Sequence, residues 1–352
     1  MSSLQNIQAL AKTAAEILVA ETPFSNESER VFEVRLKGTR VARQSLESVI
    51  NEDYPTDYLI RTAVLLEQSG DLFLARTVYT FVLAKKDSRS IPALMGLGAC
   101  HFKMGDIEAA LKTFIQLNEA DPSSQVTLWL ARCWAEQGKE IIAIETLRRM
   151  ERPEECGKEF AFEHQKLLGN CLTRVGRISE AETAFCLALQ LKPQNDVVRV
   201  NLGMLELKRR NLNGARDSFL EASRCNSKNV KAINGLGLVA VGEGDWGRAE
   251  ALFHQALDID PRNTTAIAQL FSLTREGRPA DLIVARTERL LELEPDNCEA
   301  RYYLAAWHLE RRRWTECERQ LLAILQKKPE HERAKKLLSE IRSNLQKRGG
   351  VL

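Results

Sequence analysis

The strongest constraint on this chain is a repeat of 34 residues in its middle. Between residues 162 and 261, small and aromatic residues recur three times in register. The recurring residues are Leu168, Leu202 and Leu236; Gly169, Gly203 and Gly237; Ala181, Ala215 and Ala249; Phe185, Phe219 and Phe253; and Ala188, Ala222 and Ala256. A fixed period of this length is typical of proteins that stack one supersecondary unit many times. The period therefore predicts an array of similar units.

The residue types at these positions have a physical reason. A helix pair of this length cannot bury its own apolar faces, so it must pack against the next pair. Glycine and alanine are needed where two helix axes approach closely, and a phenylalanine four residues after an alanine adds bulk on the same helical face. Pro193 and Pro261 end one unit, because proline stops a helix and fits the first turn of the next.

The order Leu-Gly, Ala, Phe, Ala and Pro resembles the tetratricopeptide repeat family. The resemblance implies an all-α fold, a right-handed α-solenoid of about eight helix pairs, in which the first helix of each pair lines a concave groove that binds other proteins. We predict repeats from residue 56 to residue 329. They start near Thr56, Ile91, Ser124, Phe162, Asp196, Val230, Thr264 and Cys298. The first residue of each repeat is called place 1 below.

The two ends of the chain do not match the repeat. Residues 1–55 contain apolar residues at helical spacing, and we predict a helical segment that either caps the array or acts as a dimerisation or docking arm. Residues 330–352 are predicted to form a charged amphipathic capping helix and tail. Its apolar face consists of Ala334, Leu337, Leu338, Ile341 and Leu345.

Two stretches depart from the regular pattern. The polar residues 151–158 include Pro153 and Gly157, which predicts an enlarged loop and a joint at which the array could bend. Repeat seven has Phe271 where other repeats have glycine, and Ile283, Thr287 and Leu290 replace the usual Ala, Phe and Ala. We expect wider helix separation there, because large side chains cannot enter a contact sized for glycine.

Composition and cysteine usage favour a cytoplasmic protein. The 28% charged and 44% hydrophobic residues suit a helical, water-soluble chain, and no uncharged apolar stretch reaches the roughly 18 residues of a membrane span. The eight cysteines form no CxxC pair. Cys100, Cys133 and Cys171 share place 10, where a small buried side chain is expected. We therefore predict neither metal nor cofactor.

Motifs that suggest catalysis are weak. Gly242-Glu-Gly-Asp-Trp-Gly247 matches GxGxxG, but a dinucleotide site would need a strand before it, and the repeat places a helix there. No nucleophile, base and charge stabiliser are brought together by any motif. The chain is therefore predicted not to be an enzyme, and binding remains as its function.

One subset of the resembled family grips a partner's C-terminal carboxylates with a five-residue clamp. Lys166, Asn170, Asn201 and Lys231 match four places of that clamp, whereas the fifth is Gly235 where the family has arginine. The resemblance also implies which places of a first helix face the groove, and several cations of this chain occupy such places. The predicted partner-binding residues are Arg132, Lys166, Asn170, Arg174, Asn201, Lys208 and Lys231.

These residues favour a protein-interaction scaffold or adaptor that holds an acidic partner segment. Glu276, Glu299 and Glu310 occupy groove-facing places later in the chain. The stretch from Arg301 to Arg348 contains 13 basic and six acidic residues, and it could contact a second partner. The alternative is a nucleic-acid-binding repeat protein that uses Arg311-Arg-Arg-Trp314, although Trp314 occupies a place that is apolar in most repeats.

Overall fold

The computed structural model describes residues 55–349, with side chains as far as Arg342. Within this range it contains seventeen α-helices and no strand. The helices are α1 (Thr56–Gln68), α2 (Leu72–Phe81), α3 (Ile91–Lys103), α4 (Ile107–Ala120), α5 (Ser124–Glu136), α6 (Glu140–Arg148), α7 (Lys158–Arg174), α8 (Ile178–Leu191), α9 (Asp196–Lys208), α10 (Leu212–Cys225), α11 (Val230–Gly242), α12 (Trp246–Ile259), α13 (Thr264–Leu273), α14 (Asp281–Leu293), α15 (Cys298–Glu310), α16 (Trp314–Lys327) and α17 (Glu332–Gly349). The predicted all-α fold of helix pairs is confirmed. Apart from Pro55, the predicted N-terminal segment lies outside the described residues.

The chain divides into two compact bodies. The N-terminal body runs to Ala181 and the C-terminal body begins at Glu182, so the division falls within α8. In seven of the eight repeats the first helix begins at the predicted residue. Helix α7 is the exception, because it begins at Lys158 and its first turn precedes the predicted start at Phe162. The enlarged loop before it contains a short 3-10 helix, Pro153–Cys156.

Aromatic rings at place 24 are seated directly on glycines. In the C-terminal body, Phe219 is fully buried, and a Cβ atom added at Gly203 would lie only 2.7 Å from its ring. A Cβ atom at Gly235 of the next repeat would overlap the same ring. The side chain is thus packed between backbone of its own repeat and backbone of the next. This arrangement explains why the repeat requires glycine at those places.

The N-terminal body uses the same contact. A Cβ atom at Gly98 would lie 2.7 Å from the buried ring of Phe114, and one at Gly96 would overlap Tyr79. The cysteines at place 10 are buried, as predicted. Burial raises the pKa of Cys100 to about 11, of Cys133 to about 12 and of Cys171 to about 11. Their thiols are therefore core side chains that stay protonated at neutral pH.

The turn inside each pair needs a left-handed residue. Glycine supplies it in most repeats, and Gly244, at φ +76°, does so within the GxGxxG match. That motif therefore joins helices α11 and α12 and forms no nucleotide-binding strand-turn-helix. Arg210 (φ +60°) and Arg312 (φ +57°) occupy the same place in repeats five and eight, where a side chain is unfavourable.

Repeat seven is packed differently, as its sequence predicts. Helix α13 packs more on α15 than on its own partner α14. The Phe271 ring, at the place of the usual glycine, is buried and lies 6.4 Å from the ring of Trp307 on α15. Ile283, Thr287 and Leu290 are also buried. Bulk at the place of glycine thus shifts the packing toward the next repeat.

The last helix closes the described part of the C-terminal body. Ala334, Leu338 and Ile341 of α17 are buried against α15 and α16, and Leu337 packs beside them. This is the apolar face predicted from the sequence. The Leu345 side chain lies outside the described residues.

The Phe219 ring, packed between Gly203 and Gly235, should contribute a large part of the local stability. Replacing Phe219 by alanine removes a buried ring that rigid backbone on both sides cannot replace, so we expect a loss of about 3–5 kcal/mol. Urea unfolding followed by circular dichroism measures this loss. The same truncation at Leu282, which is 52% exposed, serves as the control and should cost less than about 1 kcal/mol. Equal losses for the two variants would contradict the assigned packing.

The left-handed arginines predict a stabilising substitution. Arg210→Gly should raise the free energy of unfolding by about 1 kcal/mol, because glycine adopts positive φ without the clash of a Cβ atom. Lys112→Gly, in the exposed interior of α4, should lower it by a similar amount. Chemical denaturation of both variants tests the pair. A destabilised Arg210→Gly protein would show that the arginine side chain contributes more than the backbone conformation costs.

Candidate functional site

A cleft of about 410 Å³ lies on the N-terminal body. Three successive first helices, α3, α5 and α7, supply its walls. The lining residues are Phe102, Lys103, Trp129, Arg132, Glu136, Glu163, Lys166, Leu167 and Asn170. All of them occupy places 2, 5, 6, 9, 12 or 13 of their repeats. The cleft thus shows directly which places of a first helix face outward on this side.

One wall of the cleft is aromatic. Phe102 meets Trp129 edge to face, with ring centroids 5.5 Å apart, and Phe114 stacks on Trp129 from the core side at 5.3 Å. The Arg132 guanidinium lies 4.8 Å from the Trp129 ring centre. This packing holds the indole rigidly while one side of it borders the cleft. A flat, fixed aromatic surface of this kind suits an apolar side chain or a cation.

A triad of charges adjoins the aromatic residues. Glu163 accepts a hydrogen bond from Arg132 at 2.7 Å and another from Lys166 at 2.5 Å. These three side chains are only 23–26% exposed. At the rim, Lys103 pairs with Glu67 at 2.8 Å. The cleft is therefore less basic than its lysines and arginine suggest, because carboxylates of the chain already neutralise them.

The remaining predicted residues of this body take different positions. Asn170 lines the cleft and is partly buried. Arg174 does not line it. Its guanidinium donates to the backbone oxygen of Ala135 at 2.9 Å and lies 3.6 Å from Glu140 Oε1. Arg174 thus compensates the carbonyl end of α5, a favourable place for a cation.

The other three predicted residues belong to the C-terminal body. Asn201 on α9 is partly buried, whereas Lys208 on α9 and Lys231 on α11 are exposed. Among the residues that the structure describes, neither lysine forms an ion pair. The four clamp-like residues are thus divided, with two in each body. The missing fifth has a structural cause, because any side chain at Gly235 would overlap Phe219.

Two of the three later acidic residues are engaged in ion pairs. Glu310 pairs with Arg275, and Glu299 lies 3.3 Å from Arg333 and 3.8 Å from His331. They form no open anionic row on α15.

The basic C-terminal stretch is also largely engaged. Arg311 and Arg313 lie over the ring of Trp307, at 4.4 Å and 5.3 Å from its centre. Further cations are paired with acids at Lys327–Asp296 (3.1 Å), Lys335–Glu330 (2.7 Å) and Arg342–Glu318 (3.3 Å). Trp314 packs against the core of α15, α16 and α17. Nothing in this arrangement favours the nucleic-acid alternative, which needs cations directed at phosphates.

The histidines serve packing where they are buried. His164 bonds the backbone oxygen of Leu147 at 3.0 Å, and burial lowers the pKa of His164 and of His308. In residues 55–349, no three His, Cys, Asp or Glu side chains are grouped to hold a metal ion. Over the same range, no helix combines the length and apolarity that crossing a bilayer requires.

Sequence reasoning missed two important members of the cleft. Trp129 at place 6 and Glu163 at place 2 carry its aromatic wall and its central charge, although both positions follow from the same register as Lys166. Neither residue is a cation, so positive charge does not mark them in the sequence. Their signal is their position at outward places of the repeat.

Comparison with known proteins agrees with this architecture. A tetratricopeptide repeat family model matches residues 97–153 and 200–264. Anaphase-promoting complex subunit 3 of Schizosaccharomyces pombe is 25% identical over 231 residues, which cover 63% of this chain and 32% of that protein. The match thus spans about a third of the curated relative's length.

Two solved structures show the same fold. A tetratricopeptide repeat protein from Parabacteroides merdae is 16% identical with a TM-score of 0.52, covering 72% of this chain and 99% of that chain. A chain of the APC/C hetero-tetramer Cut9-Hcn1 is also 16% identical, with a TM-score of 0.51. The match covers 86% of this chain and 59% of that chain. Together with the helix pairs and their register, these matches show that the chain contains tetratricopeptide repeats.

Proposed function

We propose that this protein is a non-enzymatic scaffold or adaptor that binds a short acidic segment of a partner protein in the cleft of the N-terminal body. The observation that carries the proposal is the convergence of three first helices on one cleft, where a packed aromatic wall adjoins a partly exposed charge triad. This combination recognises a peptide through one apolar contact and one charged contact. We identify the cleft with part of the family's concave groove.

The triad offers a defined way to bind a carboxylate. Arg132 and Lys166 converge on Glu163, and each has donors beyond those that Glu163 accepts. A partner's Asp or Glu side chain can therefore share the two cations, and charge-assisted hydrogen bonds make such contacts strong. Glu163 in turn lowers the attraction for any anion without the correct geometry. This arrangement favours a specific acidic segment over a general polyanion.

The aromatic wall supplies the second contact. A partner side chain next to the bound carboxylate would lie against Phe102 and Trp129, whose edge-to-face rings border the cleft beside the triad. Aromatic surfaces that are already held by packing lose little entropy on binding. We therefore expect an apolar residue adjacent to the acidic residue in the bound segment.

The likenesses to assembly subunits support a scaffolding role. The relative from Schizosaccharomyces pombe and the Cut9-Hcn1 chain are both named as parts of the anaphase-promoting complex. By analogy, this chain would hold proteins together and would carry out no chemistry itself. We extend to it the general role and not a particular complex.

We further propose a second partner at the basic C-terminal stretch and a cytoplasmic location. Arg311, Arg312 and Arg313 are exposed at the turn between α15 and α16. The cysteines of residues 55–349 are free thiols, of which five are buried, and this usage is typical of a reducing compartment.

Site-specific photo-crosslinking in the native host tests the cleft directly. A benzophenone amino acid at Leu167, which lines the cleft, should crosslink to one partner, and mass spectrometry should map the link to a segment containing Asp or Glu beside an apolar residue. The same amino acid at Ile141, which is 66% exposed outside the cleft, is the control. Identical crosslinks from both positions, or links only to basic segments, would contradict the proposal.

Opposite changes in the triad should have opposite effects on binding. With a synthetic peptide of the crosslinked segment, Lys166→Glu should weaken binding about tenfold and reduce its salt dependence, because one cation is lost and a repulsion is added. Glu163→Gln should strengthen binding, because it removes the competing carboxylate. Fluorescence anisotropy measures both, and Lys112→Glu on the exposed face of α4 is the matched control. If all three variants bind like the parent, the cleft is not the site.

A further inference from the structure

The cleft of the N-terminal body defines which places of a first helix face outward, and the same places can be read in the C-terminal body. On α9, Val197 is at place 2 and Met204 at place 9, and they are 48% and 39% exposed. On the adjacent helix α11, Leu238 and Val241 occupy places 9 and 12 and are partly buried. The outward face of these two helices is therefore mainly aliphatic, with Asn201 at place 6 between Val197 and Met204, where the cleft is aromatic and charged.

This aliphatic face contains almost no charge. Helix α11 carries a single charged residue, Lys231, and Lys208 stands at the end of α9. Both lysines are exposed, and within residues 55–349 neither has an ion pair. The face thus has an apolar centre with a cation at each end.

The carboxylates of α9 are already engaged elsewhere. Asp196 accepts hydrogen bonds from Asn226 and Asn229, each at 2.8 Å. Glu206 accepts one from Asn211 at 2.6 Å and lies 3.7 Å from Arg209. The described residues therefore provide no carboxylate partner for the two lysines, in contrast to the triad at Glu163. Both lysines are available to pair with carboxylates of another molecule.

The dimensions of the face fit a short helix. Val197 and Met204 are seven residues apart, which is two helical turns or about 10 Å. Two turns of an amphipathic helix present aliphatic side chains at matching i, i+3 or i+4, and i+7 positions. Carboxylates at the two ends of the bound helix's apolar row would lie near Lys231 at one end of the face and Lys208 at the other.

We propose that the outward face of α9 and α11, comprising Val197, Met204, Leu238 and Val241 between Lys208 and Lys231, is a second docking site for a short amphipathic helix of a partner protein. The aliphatic row of that helix covers the apolar centre, and acidic residues flank the row on both sides. The site is separate in residues and in chemistry from the cleft of the N-terminal body. Each can be disproved without the other.

Peptide display on the full-length chain tests the site without a known partner. A random 16-residue library is selected on the parent protein and, in parallel, on Met204→Glu, which places a charge in the apolar centre but at an already exposed position. Leu282→Glu, on the exposed side of α14, is the matched control. Circular dichroism confirms that all three proteins keep the parent's helix content.

We expect one class of peptides to be enriched on the parent and on Leu282→Glu but lost on Met204→Glu. These peptides should carry aliphatic residues at i, i+3 or i+4, and i+7 with Asp or Glu at the flanks. Synthetic members should bind Met204→Glu at least tenfold more weakly by anisotropy, and Lys231→Gln about two- to fivefold more weakly. Lys166→Glu should leave their binding unchanged, which separates this site from the cleft.

Three results would overturn the proposal. The first is a set of selected peptides that does not differ between the parent and Met204→Glu. The second is a differential set flanked by Lys or Arg. The third is a concentration-dependent dimer of the parent that Met204→Glu abolishes, because the face would then bind a second copy of this chain.

Discussion

The contact between an aromatic ring and a bare glycine backbone is the interaction on which the rest of this structure depends. Phe219 occupies the space that a Cβ atom would need at Gly203 and at Gly235, so one ring locks the two helices of its own pair and the first helix of the next. Close-packed interiors allow no such overlap. The ring therefore dictates helix spacing and rotation together, and the same contact recurs between Phe114 and Gly98 in the N-terminal body and between Phe253 and Gly237 in the C-terminal body.

A fixed rotation has a functional consequence, because it commits the same places of each first helix to the outward side. In the N-terminal body those places hold Trp129, Arg132, Glu163 and Lys166, whereas on α9 and α11 of the C-terminal body they hold mainly aliphatic residues, with a lysine at each end that has no ion pair among the described residues. The backbone pattern is common to both bodies, and the side chains alone distinguish them. A repeat protein can thus present two different chemistries without any change of fold.

The sequence predicted the helices, most of their starts and the buried side of each one, because these depend on local spacing and on residue size. It also predicted the unusual packing of repeat seven from Phe271. Of the predicted binding residues, Arg132, Lys166 and Asn170 line the cleft, whereas Arg174 is bound to the end of a neighbouring helix. A cation at an outward place signals possible binding, but its actual partner depends on carboxylates and carbonyls from other helices.

What the sequence determined by itself was the repeat, the helix pairs and the face that each residue occupies, since periodicity and side-chain volume leave few alternatives. Only the tertiary structure decided the charge of the site. Glu163 on α7 pairs with Arg132 on α5, and Asp196 accepts hydrogen bonds from Asn226 and Asn229, which follow α10. Such pairing acts over a few ångströms between residues about 30 positions apart in the chain, and those distances exist only once the helices have packed.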